Sequence, residues 1–173
     1  MCQAPSPNLN VTEPMNIKNL APKELLRLSG AVICELRARG IVRTENSPVG
    51  DYAEWLVAES FGWERVKSSV KGHDLVDPVS GLRYEVKSRR ASKKIKSPQL
   101  SAIRDIQGSH FDFLIVIIFD QDFNVLRALK VPHAVVHGVG KHNVHTNSLL
   151  LHADKNLAQQ PGVEDITSLI VVK

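Results

Sequence analysis

The sequence predicts a fold of mixed α/β class, and three observations carry that reading. Apolar residues recur at helical spacing in two early segments, Pro22 to Arg39 and Asp51 to Gly62. Short apolar runs punctuated by Gly, Pro, Ser and Asp then follow between Glu64 and Ser88, which is strand patterning. Finally "DFLIVIIF", residues 112 to 119, is apolar on both parities and reads as a strand buried on both faces.

Taken in order, Met1 to about Met15 is rich in Pro, Asn and Ser without a period, which predicts a flexible tail ahead of a single domain over 16–173. Residues 20–40 predict a helical arm. Leu25, Leu26, Leu28, Val32, Ile33 and Leu36 repeat at helical spacing, Pro22 suits the first turn and Gly40 the C-terminal cap. Its apolar face either covers a sheet or pairs with the same helix of a second subunit. The linker "IVRTENSPVG" leads to a second helix, with Asp51 as N-cap, Glu54 closing a capping box and Gly62 as the stop. At about 100° per residue, Ala53, Leu56, Val57 and Phe61 form its apolar face, Glu54 borders that face and Glu59 points away.

Strands are expected around Glu64 to Val70, His73 to Asp77 and Leu82 to Ser88, then a helix near Ser101 to Gln107 and the buried strand. "DQDFN" turns the chain into a strand "VLRALKV", "PHAVVHGV" suits a short helix, and "HGVGKHNVH" reads as a flexible loop. Either of "NSLLLHA" and "DITSLIVV" suits a strand. Trp55 and Trp63, flanking the second helix, are assigned to packing rather than to base stacking.

Composition removes several functional classes. Of 173 residues 43% are hydrophobic, enough for a sizeable core, and the two cysteines, Cys2 and Cys34, supply neither a disulfide framework nor a cysteine zinc site. The longest apolar run, Phe113 to Phe119, is far short of the roughly 20 residues that span a bilayer, and no charged-then-apolar leader opens the chain. A cytoplasmic protein without a membrane partner is the expectation. No "GxxxxGK[ST]" or "GxSxG" occurs, so neither a nucleotide cofactor nor the common serine-hydrolase arrangement is expected. His133, His137, His142 and His145 lack a supporting cysteine and are not read as a zinc site. The net charge is only +4, yet six of the ten residues from Lys87 to Lys96 are Lys or Arg, a cluster suited to a polyanion.

The chemistry concentrates in "GHDLVDPVSGLRYEVKSRR", residues 72–90. If Pro78 to Gly81 form the hairpin loop, antiparallel counting sets Asp74 opposite Glu85. Alternation then gives Glu85 and Lys87 one face and Tyr84 and Val86 the other. Facing carboxylates cost about 0.2–1 kcal/mol. A hard divalent cation such as Mg²⁺ offsets that cost and keeps positions for water and phosphate oxygens.

A helix with an inward Glu, a strand with Asp, a tight turn, a strand with Glu-x-Lys, a basic segment, a helix and a buried strand together resemble the PD-(D/E)xK, or restriction-endonuclease-like, nuclease superfamily. The matching stretches are "GDYAEWLVAESFG" with Glu54, "GHDLVDP" with Asp74 and "RYEVKSRR" with Glu85 and Lys87. His73 stands where the family pattern has Pro. The resemblance covers a core of about 49–131 and leaves the arm and a C-terminal extension, 132–173, unassigned. It implies a mixed central sheet flanked by helices and Mg²⁺-dependent hydrolysis of DNA phosphodiester bonds, with Mn²⁺ able to substitute.

On that resemblance Asp74, Glu85 and the Val86 carbonyl hold the metal, Lys87 positions or deprotonates the attacking water, and Glu54 is an outer ligand or the handle for a second ion. Gln99 is a polar helper at the mouth of the following helix. Arg89, Arg90, Lys93, Lys94 and Lys96 grip the DNA backbone. A restriction or defence endonuclease acting as a homodimer is the leading expectation. The alternatives are a repair or junction-resolving nuclease, and an inactive DNA-binding module of the same fold.

Overall fold

The computed structural model describes residues 16–67, 72–91, 98–104 and 108–171. The expected tail over 1–15 and the basic residues Lys93, Lys94 and Lys96 lie outside them. Among the described residues the helices are α1 (Pro22–Ala38), α2 (Val49–Phe61), α3 (His133–Val139) and α4 (Lys155–Ala158). The strands are β1 (Glu64–Arg65), β2 (Leu75–Val76), β3 (Arg83–Arg90), β4 (Ile103–Arg104), β5 (Phe113–Phe119), β6 (Val125–Pro132), β7 (Lys141–Asn143), β8 (Ser148–Leu150) and β9 (Glu164–Asp165).

The central sheet is mixed, in the order β1-β2-β3-β5-β6-β9. β3 and β5 run parallel, with Glu85 beside Leu114 and Lys87 beside Val116, while β2 and β6 flank them antiparallel. A smaller sheet, β4-β8-β7, packs nearby. The central strand β5 divides the core. Ile115, Ile117 and Phe119 join Tyr84, Val86, Leu56 and Val57 on the α2 side, and Leu114 and Val116 join Leu100, Ile103 and Leu149 on the other. Most of these side chains are fully buried, each contributing about 1.5–3 kcal/mol of burial free energy.

Helix ends follow the chain's own chemistry. Glu24 accepts the Ala21 N–H at 2.8 Å, and Gly40, at φ 70°, closes α1 with the Ile41 N–H on the Leu36 carbonyl. Gly62, at φ 71°, stops α2 as expected. Trp63 stacks on Tyr84 with ring centroids 3.8 Å apart and on Phe61 at 4.6 Å, a packing role.

Several expectations are corrected. Asp51 is not the N-cap of α2: the helix starts at Val49, and the Asp51 carboxylate accepts the Arg43 and Thr44 N–H groups at 2.9 and 2.8 Å. Glu54 is therefore released from a capping box. Where a helix over 101–107 was expected, Ile103–Arg104 form β4 and pair with β8, because Leu100 and Ile103 dock against the back of β5; residues 105–107 lie outside the described residues. "HGVGKHNVH" is not a loop throughout, since β7 pairs with β8 and a 3-10 turn at Val144–Thr146 follows. "DITSLIVV" contributes a 3-10 turn at Thr167–Leu169, and the strand β9 ends at its first residue. Nor does α1 cover the sheet: none of its residues is buried, and Leu25, Leu26 and Val32 stand exposed. No helix among the described residues is long and apolar enough to cross a membrane.

Candidate functional site

The hairpin that carries the acids has the register that turn chemistry dictates. Asp77 accepts the Val79 N–H at 2.9 Å through its carboxylate, its own N–H reaches the Leu82 carbonyl at 2.9 Å, and Leu75 pairs with Tyr84. Continued by one residue, that pairing sets Asp74 against Glu85. There β2 has ended: the Asp74 N–H goes to the Tyr84 carbonyl at 2.8 Å, and its carboxylate takes the Val86 N–H at 2.8 Å.

This early end matters. Within a strand the N–H and C=O of one residue point the same way. The Val86 N–H points at Asp74, so the Val86 carbonyl opens along the same edge of β3. Glu85 and Lys87, two residues apart, share a face, and their side chains form an ion pair with 14% and 17% exposure. A cavity of about 260 Å³ opens at this edge, between the start of α2 and the segment before β4. Glu54, Asp74, Val86, Lys87, Ser88 and Ser101 line it, with Val49 and Gly50.

The electrostatics show the strain of gathering acids. Burial, reinforced by the Asp74 charge and opposed by Arg43, pushes Glu54 up to about 7. Burial, reinforced by Glu85 and opposed by Lys87, the Val86 amide and Arg43, pushes Asp74 up to about 6. Asp51 goes the other way: burial would raise it, but the Thr44 and Arg43 amides outweigh that and hold it below its usual range. Near neutral pH Glu54 and Asp74 therefore hold their protons more tightly than free carboxyls do, chiefly because burial penalises their charged forms.

A stability profile follows from those directions. Glu54 and Asp74 both titrate above their ordinary values of 4.5 and 3.8, so the folded chain holds their protons more tightly than the unfolded chain does. Their stabilising contribution is complete below about pH 4 and is lost as pH rises through 6 and 7, by about 2–4 kcal/mol. Urea midpoints in EDTA are expected to fall between pH 5 and pH 8. A profile that rises across that window contradicts this electrostatic picture.

The other expected site residues are placed as follows. Glu54 and Lys87 reach the cleft from α2 and β3, and Asp74 from the turn before β2. Gln99 stands at no helix mouth; it forms an isolated antiparallel bridge with His152, and Ser101 is the side chain of that segment that lines the cavity. Arg89 is half-buried, with one guanidinium nitrogen donating to the Gln99 carbonyl and Nε enclosed without a hydrogen-bond partner. Arg90 is exposed, its guanidinium 4.8 Å from the Phe123 ring centroid.

One residue that sequence reasoning passed over sits at the centre. Arg43, in the supposed linker, ion-pairs with Glu54 and donates through its other terminal nitrogen to the Val66 carbonyl. The only hint in sequence is a cation directly after the apolar pair Ile41-Val42, of which Val42 is 2% exposed. Asp74 and Val86 line the cleft, and Glu85, ion-paired to Lys87, lies near enough to act on the Asp74 charge; carboxylate and carbonyl oxygens are the donors a hard divalent cation takes. Comparison with protein-family models gives no match for the chain, and comparison with curated proteins gives none either.

Proposed function

We propose that this chain is a Mg²⁺-dependent endodeoxyribonuclease of the restriction-endonuclease-like, PD-(D/E)xK, kind. The observation that supports it best is the meeting of Asp74, Val86 and Lys87 at the open edge of β3, with the Glu85 charge felt at Asp74. Asp74, Glu85 and the Val86 carbonyl are the residues that would hold the metal ion. Bound there, the ion supplies polarisation of a phosphate oxygen and a water of lowered pKa. The chain's residues do the rest. Lys87, held by Glu85 on the cleft wall, orients the attacking water and balances charge developing on the phosphate. Arg90, with the basic residues that follow it, offers phosphate contacts that give affinity without sequence choice. A homodimer belongs to this reading, because cutting both strands takes two centres and α1 leaves Leu25, Leu26 and Val32 uncovered.

The test is plasmid cleavage. Wild type with Mg²⁺ or Mn²⁺ is expected to nick or linearise supercoiled DNA, EDTA to stop it, and Asp74→Asn to remove it. Preference for branched over linear DNA marks a junction-resolving enzyme; cleavage at fixed positions marks a restriction enzyme. If wild type cuts no linear, supercoiled or branched DNA with either ion, the catalytic reading falls and a DNA-binding module takes its place.

A further inference from the structure

Among the described residues three carboxylates, Glu54, Asp74 and Glu85, gather at the cleft, and two cations, Lys87 and Arg43, form ion pairs there. Lys87 pairs with Glu85 and Arg43 pairs with Glu54, while the Asp74 carboxylate takes the Val86 amide and feels Lys87 and Arg43 only through space. With all five of these groups ionised, the cleft sums to one net negative charge. One divalent ion brings it to +1, a match for the single negative charge of a phosphodiester, whereas two ions would bring it to +3.

Arg43 is not placed to make room for a second ion. Its N–H and that of Thr44 are tied to Asp51 at 2.9 and 2.8 Å, and the Thr44 hydroxyl adds a third bond at 3.0 Å. Its guanidinium bridges Glu54 to the Val66 carbonyl, and the Val66 N–H donates to the Asp74 carbonyl at 2.9 Å. The arginine is thereby stitched to the same backbone that presents Asp74. With side-chain exposures of 24% and 14%, Arg43 and Glu54 are both largely withdrawn from water, and Arg43 Nε is enclosed without a partner. Pulling the guanidinium out would strand Glu54 in that setting.

We infer that Arg43 supplies the second positive charge of this site, so that the cleft takes up a single divalent cation, at Asp74 and Glu85, and Glu54 does not ligate metal. The inference rests on the nuclease reading for the identity of the first ion. Arg43 acts here as a positioning residue: it holds Glu54 as a fixed counter-charge and keeps the space between α2 and β3 free of a second ion.

Calorimetric titration of the full chain with Ca²⁺ tests this without any turnover. Wild type is expected to bind one ion per chain. The double variant Arg43→Met/Glu54→Gln, which removes the pair without changing net charge, should keep one ion with affinity within about threefold of wild type. Asp74→Asn should weaken binding by more than about tenfold. Two ions per wild-type chain, or a loss beyond about tenfold in the double variant, overturns the inference and leaves the nuclease reading standing. No Ca²⁺ uptake by wild type overturns the inference, and plasmid cleavage with Mg²⁺ reads the nuclease assignment on its own. Because wild type alone decides the stoichiometry, the test survives a variant that fails to fold.

Discussion

Lys87→Ala is expected to slow Mg²⁺-dependent DNA cleavage by about 10²- to 10⁴-fold, the range lost when a positioned proton-transfer or charge-balancing group is removed. Binding of Ca²⁺ and of DNA should survive. The reason is the direction of the charge change. Removing the ammonium leaves Glu85 without its ion-pair partner and makes the cleft more negative, which favours a divalent cation while depriving the phosphate of its neutralising contact. A mere packing role for Lys87 would give a different signature, a lower melting temperature with cleavage per folded molecule unchanged. Single-turnover cleavage within about tenfold of wild type, at saturating Mg²⁺, would remove Lys87 from the chemistry.

That Lys87 and Asp74 were readable at all reflects how few degrees of freedom a hairpin has. Once Pro78 to Gly81 turn the chain, the period of two fixes which residues face each other, and the observed pairing of Leu75 with Tyr84 has the counted register. Helical angle similarly placed Glu54 at the border of the buried face of α2. What was not legible depends on partners far along the chain. Leu100 and Ile103, three apart, have helical spacing, and that local signal was overridden by β8, some 45 residues later, as Ile103 pairs with Leu149. Amphipathic spacing in α1 announces an apolar face and says nothing about what covers it. Arg43 escaped because its partners lie 11 and 23 residues away and no local period marks a buried cation.

Arg43→Met should lower folding stability by about 3 kcal/mol at pH 8, the cost of leaving one partner of a buried ion pair unanswered. Glu54 already sits high, at about 7, because burial and Asp74 outweigh Arg43. Without the guanidinium its charged form loses its ion-pair partner, and the Val66 carbonyl loses a donor as well. Lowering the pH to 5 protonates Glu54, so much of the deficit should vanish there; adding Glu54→Gln should restore most of it at every pH. Denaturant unfolding of the two variants at both pH values provides the measurement. A deficit independent of pH, and unrelieved by the second substitution, would mean that Arg43 matters for its packing and not for its charge.

The strand β9 has a consequence for how the molecule comes into being. Glu164 and Asp165 pair with Lys130 and Leu129, the Thr167 hydroxyl takes the Ala128 N–H, and the Val171 N–H reaches back to the Ser60 hydroxyl on α2. A nascent chain 130 residues long has every acid of the cleft, yet α2 lacks its last tether and the edge of β6 lies bare. Such wiring, with contacts spanning more than a hundred residues, favours slow, late consolidation over stepwise settling during synthesis. On the nuclease reading proposed above, the helix that carries Glu54 would gain this last tether, and the cleft its full frame, only after Val171 had emerged.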